Sequence, residues 1–430
     1  VKQADDWYFF ADVEGLPAFD TVTLGKSQAF DLYTGSIDLI KGIDVLYGYR
    51  VSDDIHFHGN GFRITISETA RKLQELMDTK MAEAETTYEV KYGIPGMLMA
   101  VNIQDEGYWV GASGVSDIDT QKPMIEMVNG QFKIGSATKT FTGMAIMQLA
   151  EEGKLKLDDT IESWLPGMVP NGENITLRQI MNHTSGIPNF TDSLEGWSVP
   201  FYTEPLKQFT PEGLVQLAFA ETQSLSVPGE EWHYSNTNYI LLGLVVEKVT
   251  GETWESEVQR RFVEPMGLKN TTVPVTGEAT IAEEHIQGYT DLYTITDGKL
   301  GAPDKLTRIG ALDPSFTWAS GAMLSSIGDL SRWVTAVVTG ELLNIWSEEE
   351  QSTWFIAQAF GIQVNMGLGI IQNAEYGFLG HRGQIDGYDL TMQYDWDGGG
   401  AIVVMMNRSV FSGSIQQLIL YDALDLLHGK

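Results

Sequence analysis

The clearest chemical signal in the chain is Ile134-Gly135-Ser136-Ala137-Thr138-Lys139-Thr140-Phe141, which holds its only Ser-x-x-Lys. A hydroxyl is a weak nucleophile at neutral pH and needs a base within hydrogen-bond reach. A glycine precedes Ser136 and an apolar helical pattern follows it. The spacing predicts Ser136 at a helix N-terminus, with Lys139 on the same face of the first turn. A desolvated lysine can lose its proton and serve as the base. The helix N-terminus also offers backbone N–H groups to a developing oxyanion. The bland alternative is an N-cap serine beside a solvated lysine.

Two further motifs bear on that choice. Trp232-His233-Tyr234-Ser235-Asn236-Thr237-Asn238-Tyr239 follows Val227-Pro228-Gly229 and leads into the apolar run Ile240–Val246. Gly380-His381-Arg382-Gly383-Gln384 ends a strand-like run. Ser-x-x-Lys, a Ser-Asn or Ser-Asp-Asn element and a Lys-Thr-Gly element together mark penicillin-recognising serine enzymes. Other chemistries lack their signatures. There is no Gly-x-Ser-x-Gly, no phosphate-binding Gly-x-x-x-x-Gly-Lys loop and no His-Glu-x-x-His. His56 and His58 have strand spacing but no evident third ligand, so a surface strand is preferred to a metal site.

On these motifs the chain resembles the serine β-lactamase-like family, which includes class C β-lactamases, carboxylesterases, D-amino-acid amidases and soluble D-Ala-D-Ala carboxypeptidases. It looks most like the last. The resemblance runs from about Gly93 to about Arg408 and takes in Met147–Leu155, Asn182-His183-Thr184-Ser185-Gly186-Ile187 and Gly367-Leu368-Gly369. It implies an acyl-enzyme on Ser136, with Lys139 accepting or relaying the proton. Tyr234 would be a phenolate or share that proton, and would then protonate the leaving group. Asn236 would hold the substrate's amide carbonyl and Lys139. His381 would stand where the family usually has lysine. Gly383 would let the backbone pass close to substrate, and the N–H groups of Ser136 and Gln384 would form the oxyanion hole. Trp318 is similar to an aromatic cleft residue of the carboxypeptidases, or else a core tryptophan. Two departures concern substrate. Arg382 replaces the usual threonine, and Ile371-Gln372 follow Gly367-Leu368-Gly369-Ile370 where the carboxypeptidases carry a base. Either Arg382 binds a terminal carboxylate, or no free carboxylate is required.

These residues need positioning elements. A helical pattern starts at Glu68 and runs to about Tyr88. Strands are expected over Met97–Asn102 and Tyr108–Ala112, joined across Asp105-Glu106-Gly107. An amphipathic helix should begin near Ser136, carry Phe141, Met144, Ile146, Met147 and Leu149 on its apolar side, and stop at Gly153. Leu390–Tyr394 and Ala401–Met406 read as a hairpin around Asp397–Gly400, and a closing helix covers about 414–427. The expected fold is α+β and β-lactamase/transpeptidase-like. An antiparallel sheet is built from both ends of the chain and flanked by helices, with a helical subdomain over about 155–330 inserted. The expected domains are 66–430, catalytic, and 1–65, an extra β-rich segment with turns at Thr34-Gly35 and Gly59-Asn60-Gly61.

The 430 residues carry 27 Lys+Arg against 58 Asp+Glu, a net charge of −31. Such a chain would repel nucleic acid and anionic membranes. No apolar run reaches about 18 residues, so no membrane span is expected. With no cysteine, disulfides and thiolate metal sites are excluded. No metal or organic cofactor is implied. The acidity and the first residue, Val1, fit a secreted or envelope protein. The expected function is a serine hydrolase, foremost a D-Ala-D-Ala carboxypeptidase acting on a small peptide. The alternatives are a carboxylesterase, D-amino-acid amidase or β-lactamase, and, outside enzymes, a catalytically idle binding module. The oligomeric state is left open.

Overall fold

The computed structural model describes residues 7–12, 45–50, 54–56, 63–65 and 68–429, apart from 89, 104–106, 193–201, 221–222, 280–284, 345–348, 360–361, 397–399 and 410–414. The expected turns at Thr34-Gly35, Gly59-Asn60-Gly61, Asp105-Glu106 and Asp397-Gly398-Gly399 lie outside these residues. Among the described residues no helix is long and apolar enough to cross a membrane. Among them no group of three or more His, Cys, Asp or Glu could hold a metal ion.

One large sheet organises the chain. Its strands in chain order are β1 (Trp7–Asp12), β2 (Val45–Arg50), β3 (Gly96–Ile103), β4 (Gly107–Asp117), β5 (Phe355–Ala359), β6 (Ile362–Met366), β7 (Ile371–Asn373), β8 (Leu379–Ile385), β9 (Tyr388–Asp395) and β10 (Gly400–Met406). Their spatial order is β1-β2-β4-β3-β10-β9-β8-β7-β6-β5, with Lys122–Pro123 added beside β4. The hairpin expected late in the chain is present, with Tyr394 opposite Ala401. Strands from early and late in the chain meet in mid-sheet, where Val101 of β3 pairs with Ile402 of β10. Among the described strands of this sheet the pairings are antiparallel except one: β2 runs parallel to β4, with Leu46 opposite Trp109. Two strands of the N-terminal segment therefore extend the main sheet. A separate pair joins Asp54–His56 to Arg63–Thr65.

The central strands are apolar on both faces because both faces are covered. Successive side chains of a strand point to opposite sides. Met97, Met99 and Val101 of β3, with Ile402, Val404 and Met406 of β10, pack against Leu73 and Met77 of α1 (Glu68–Glu83) and Ile419, Leu420 and Ala423 of α5 (Ile415–Leu427). The residues between them, Leu98, Ala100, Ala401, Val403 and Met405, enter the larger core shared with α2 (Thr138–Glu151), α3 (Asn236–Thr250) and α4 (Ile327–Val338).

Helix α2 departs from expectation in one respect. The sequence predicts one apolar side, yet every residue from Thr138 to Met147 is buried. Its polar positions have partners. Trp333 Nε1 donates to Thr140 Oγ1 at 2.7 Å, and Trp254 Nε1 to Thr142 Oγ1 at 3.0 Å. The Trp333 ring stacks on Phe141 at 3.7 Å between centroids. The helix ends where Gly153 takes a left-handed φ of +69°.

Candidate active site

The nucleophile turn is a single 3-10 turn, Gly135–Ala137, that opens directly into α2. Ser136 sits there as expected, and Lys139 lies one turn on with no exposed surface. Lys139 Nζ donates to Ser136 Oγ at 3.1 Å, to Asn236 Oδ1 at 2.7 Å and to the Ser320 carbonyl at 2.7 Å. Burial holds this ammonium well below the usual lysine range. The partner set matters more than the direction. Asn236 Oδ1 and a carbonyl can only accept. A neutral Lys139 must therefore keep its two N–H bonds on those oxygens, which turns its lone pair toward Ser136 Oγ.

Tyr234 completes the cluster. Its hydroxyl donates to Ser136 Oγ at 2.7 Å, and Lys139 Nζ stands 5.0 Å from its ring centroid. Burial pushes the phenol above its ordinary range, and the bond to Ser136 opposes that only in part. In the resting site the tyrosine is the proton donor and the lysine the group ready to accept. Asn236 is the first residue of α3, with its backbone N–H donating to Asn189 Oδ1 at 3.0 Å.

Strand β8 forms the opposite wall. A Cβ on Gly383 would stand 2.0 Å from the Ile134 carbonyl oxygen, and one on Gly135 would stand 2.7 Å from the Gln384 carbonyl oxygen. Gly135 also has a φ of +50°. Two glycines thus let the Gln384 backbone lie against the nucleophile turn. Gly383→Ala is expected to push β8 back and lower kcat/KM about 100-fold in a folded protein, the cost of a displacement near 1 Å. Near-parent kinetics for that variant would show that the close approach is dispensable.

His381 is buried, and its Nδ1 lies 2.6 Å from the Arg382 carbonyl oxygen. A carbonyl can only accept, so Nδ1 carries the proton and Nε2 is an acceptor. Burial and the Lys139 charge lower its pKa to about 4, which keeps the ring neutral at pH 7.

Two predicted residues are placed elsewhere. Arg382 neighbours His381 on β8 and so points to the opposite face. There Arg382 Nη2 bonds the buried Asp389 carboxylate at 3.2 Å, and Gln384 Nε2 bonds the same Oδ2 at 3.2 Å. Trp318 lies in the core rather than at the cleft. Its indole donates to Glu255 at 2.8 Å, its ring meets Trp254 edge-on at 5.8 Å, and its edge abuts Gly243 of α3. Its φ of +35° turns the backbone so that Phe316 and Thr317, not Trp318, face the cavity. That cavity, about 160 Å3, is lined by Ser136, Asn236, Thr317, Ser320, Gln384 and Asp386, among others.

Residues without an assigned role in the sequence also converge here. His183, at a φ of +63°, accepts at Nδ1 from the Ser235 N–H and the Asn238 amide, each at 3.2 Å. Its ring lies 4.5 Å from that of Tyr234. It thereby ties the Asn182–Gly186 motif to the Tyr-Ser-Asn turn. The Ser320 carbonyl has no sequence signature at all.

Comparison with known proteins shows the family and the fold. The family described as Beta-lactamase matches residues 69–425. The chain is 26% identical to Penicillin-binding protein 4* of Bacillus subtilis over 367 residues, 83% of this chain and 78% of that one. It superposes on the D-stereospecific amidohydrolase from Streptomyces sp. with a TM-score of 0.70 and 29% identity, covering 83% of this chain and 98% of that one. The D-amino acid amidase from Ochrobactrum anthropi SV3 shares the fold, with a TM-score of 0.73 at 23% identity over 84% of this chain and 99% of that one.

Proposed function

Because the chain belongs to the beta-lactamase family and is a serine hydrolase of that fold, we propose that it is an amidohydrolase that cleaves D-configured amides or short peptides through an acyl-enzyme on Ser136. The observation that carries this reading is the pair of bonds on Ser136 Oγ, from Lys139 at 3.1 Å and Tyr234 at 2.7 Å. Neutral Lys139 takes the Ser136 proton as Oγ attacks the acyl carbonyl. The N–H groups of Ser136 and Gln384 receive the oxyanion. Tyr234 hands a proton to the leaving amine and recovers one through Lys139. His381 Nε2, as an acceptor, orients the phenol or the leaving amine. Asn236 holds the substrate carbonyl and keeps Lys139 aimed.

The substrate assignment turns on charge. A carboxypeptidase must hold a terminal carboxylate. Arg382 is bonded to Asp389 instead, and Gln372 Oε1 accepts from Asn365 Nδ2 at 2.7 Å. Similarity to a D-stereospecific amidohydrolase supports an amide substrate without that requirement. A D-Ala-D-Ala carboxypeptidase is the second reading, favoured by similarity to Penicillin-binding protein 4*.

The deciding experiment is intact-mass spectrometry after benzylpenicillin, beside assays on D-amino-acid amides and D-Ala-D-Ala peptides. A covalent adduct with cleavage of the amides supports the proposal. Cleavage confined to peptides with a free carboxylate favours the second reading. Rapid loss of the antibiotic without an adduct indicates a β-lactamase, and turnover of acyl esters alone an esterase.

A further inference from the structure

We propose that Asp386 recognises a cationic group on the acyl part of the substrate, so that the enzyme prefers amides with an unblocked primary amine to their N-acylated forms. This names a substrate class for the amidohydrolase just proposed and rests on that reading.

The argument starts from the lining of the catalytic cavity. Ser136, Thr191, Asn236, Thr317, Ser320 and Gln384 are polar but neutral there. Among the described residues that line it, Asp386 alone bears a formal charge. It follows β8 immediately, two residues past Gln384, and is 3% exposed. The Tyr202 hydroxyl bonds its Oδ1 and fixes the carboxylate. The strand has two ends with different duties. His381, at the end that lies near Lys139, serves the leaving group. Asp386, on the other side of the oxyanion position, is left to face the acyl portion.

Burial leaves the pKa of that carboxylate raised overall, and two neighbours favour its charged form. Burial raises its pKa, while the Tyr202 bond and the Lys133 charge oppose the rise. Lys133 itself lines an adjoining recess of about 30 Å3, which shares Phe316, Thr317 and Ile385 with the catalytic cavity. Burial brings its ammonium down to about 8. A carboxylate in such a dry site gains most from a charge-assisted bond to a bound ammonium. An anionic substrate group would meet repulsion at the same spot. A net charge of −31 further concentrates cationic substrates around the protein.

The test compares kcat/KM for D-alanine p-nitroanilide and its N-acetyl derivative. The parent is expected to favour the free amine at least tenfold, mainly through KM. Asp386→Asn, which retains an acceptor for Tyr202, should bring that ratio to within about twofold of unity. Tyr202→Phe keeps the carboxylate but removes the bond that fixes it, so the preference for the free amine should be smaller and keep its sign. A measurement on the parent alone guards against misfolding of the variants. The p-nitroanilide of (R)-lactic acid replaces the ammonium by a neutral hydroxyl, and its KM should be at least tenfold higher than that of the D-alanine substrate. The proposal is overturned if the parent is indifferent to the amine, if it accepts the lactic analogue equally, or if a folded Asp386→Asn retains the preference. Failure of the parent to cleave any of these anilides, or the corresponding methyl esters, would instead bring down the amidohydrolase reading, and this inference with it.

Discussion

Lys139→Arg is expected to lower kcat/KM by about 10^4-fold, although the formal charge at the position is unchanged. A guanidinium stays protonated at every accessible pH and offers no lone pair. It would donate to Asn236 and Ser320, as the ammonium does, but could not receive the Ser136 proton. The site also has no spare room, since Lys139 has no exposed surface. The pH profile supplies a second reading. Burial lowers the Lys139 pKa, so the parent holds the neutral, competent form above the lowered value. Its kcat/KM should fall as pH drops through that value. Residual activity of the arginine variant should lack this acid limb. Stopped-flow acylation by a chromogenic β-lactam or ester measures both. An arginine variant that acylates within tenfold of the parent would move the base to Tyr234.

Ser136→Ala is expected to abolish covalent chemistry, with turnover down on the order of 10^5-fold or more. The substitution removes an acceptor for two donors, Lys139 Nζ and Tyr234 OH. It leaves Asn236 and the Ser320 carbonyl on the lysine. The fold should persist, and substrate should still enter the cavity. Intact-mass spectrometry should then find no penicillin adduct, while a tritrated or fluorescent substrate analogue still binds. An adduct on the alanine variant would place the nucleophile elsewhere. A live parent and a dead variant together would remove the idle binding module from consideration.

The parts of the site that one helical turn can hold were readable in the sequence. Ser136 and Lys139 are three residues apart, and a short helix brings them together whatever the rest does. Tyr234 and His381 are different. Nothing in their local sequence says which tyrosine folds back onto Ser136 or which histidine is buried on β8 beside the site, and only resemblance to a family supplied them. The Ser320 carbonyl is a backbone group that lies in none of the motifs, so no residue type pointed to it. Arg382 shows the limit of motif reading. One step along a strand reverses the face, and a buried acid across the hairpin then decides the partner. Trp318 fails for a related reason, because a tight turn can set Phe316 at the cavity wall and carry the tryptophan two positions on away from it. Asp386 did leave a trace: a lone acid between Ile385 and Gly387-Tyr388, where apolar neighbours make a charge expensive. At the N-terminal end, composition gave strands but could not give their partner. Pairing of β2 with β4, in parallel, is a choice made by tertiary structure.

The mid-sheet pairing of Val101 with Ile402 also governs when the enzyme comes into being. These partners stand about three hundred residues apart, a separation that makes folding slow and loop closure costly. During synthesis the serine helix is complete long before β8, β9 and β10 leave the ribosome. At emergence rates of roughly 5–20 residues per second, about twelve seconds or more pass between Ser136 and Gln384. In that interval Lys139 has no Gln384 wall beside it, and β3 has β4 on one side but lacks β10 on the other. The nascent protein holds its nucleophile without an oxyanion site, and it exposes the edge of a largely apolar strand to any chaperone or stray sheet edge. Catalytic competence therefore arrives late and all at once, with the last tenth of the chain.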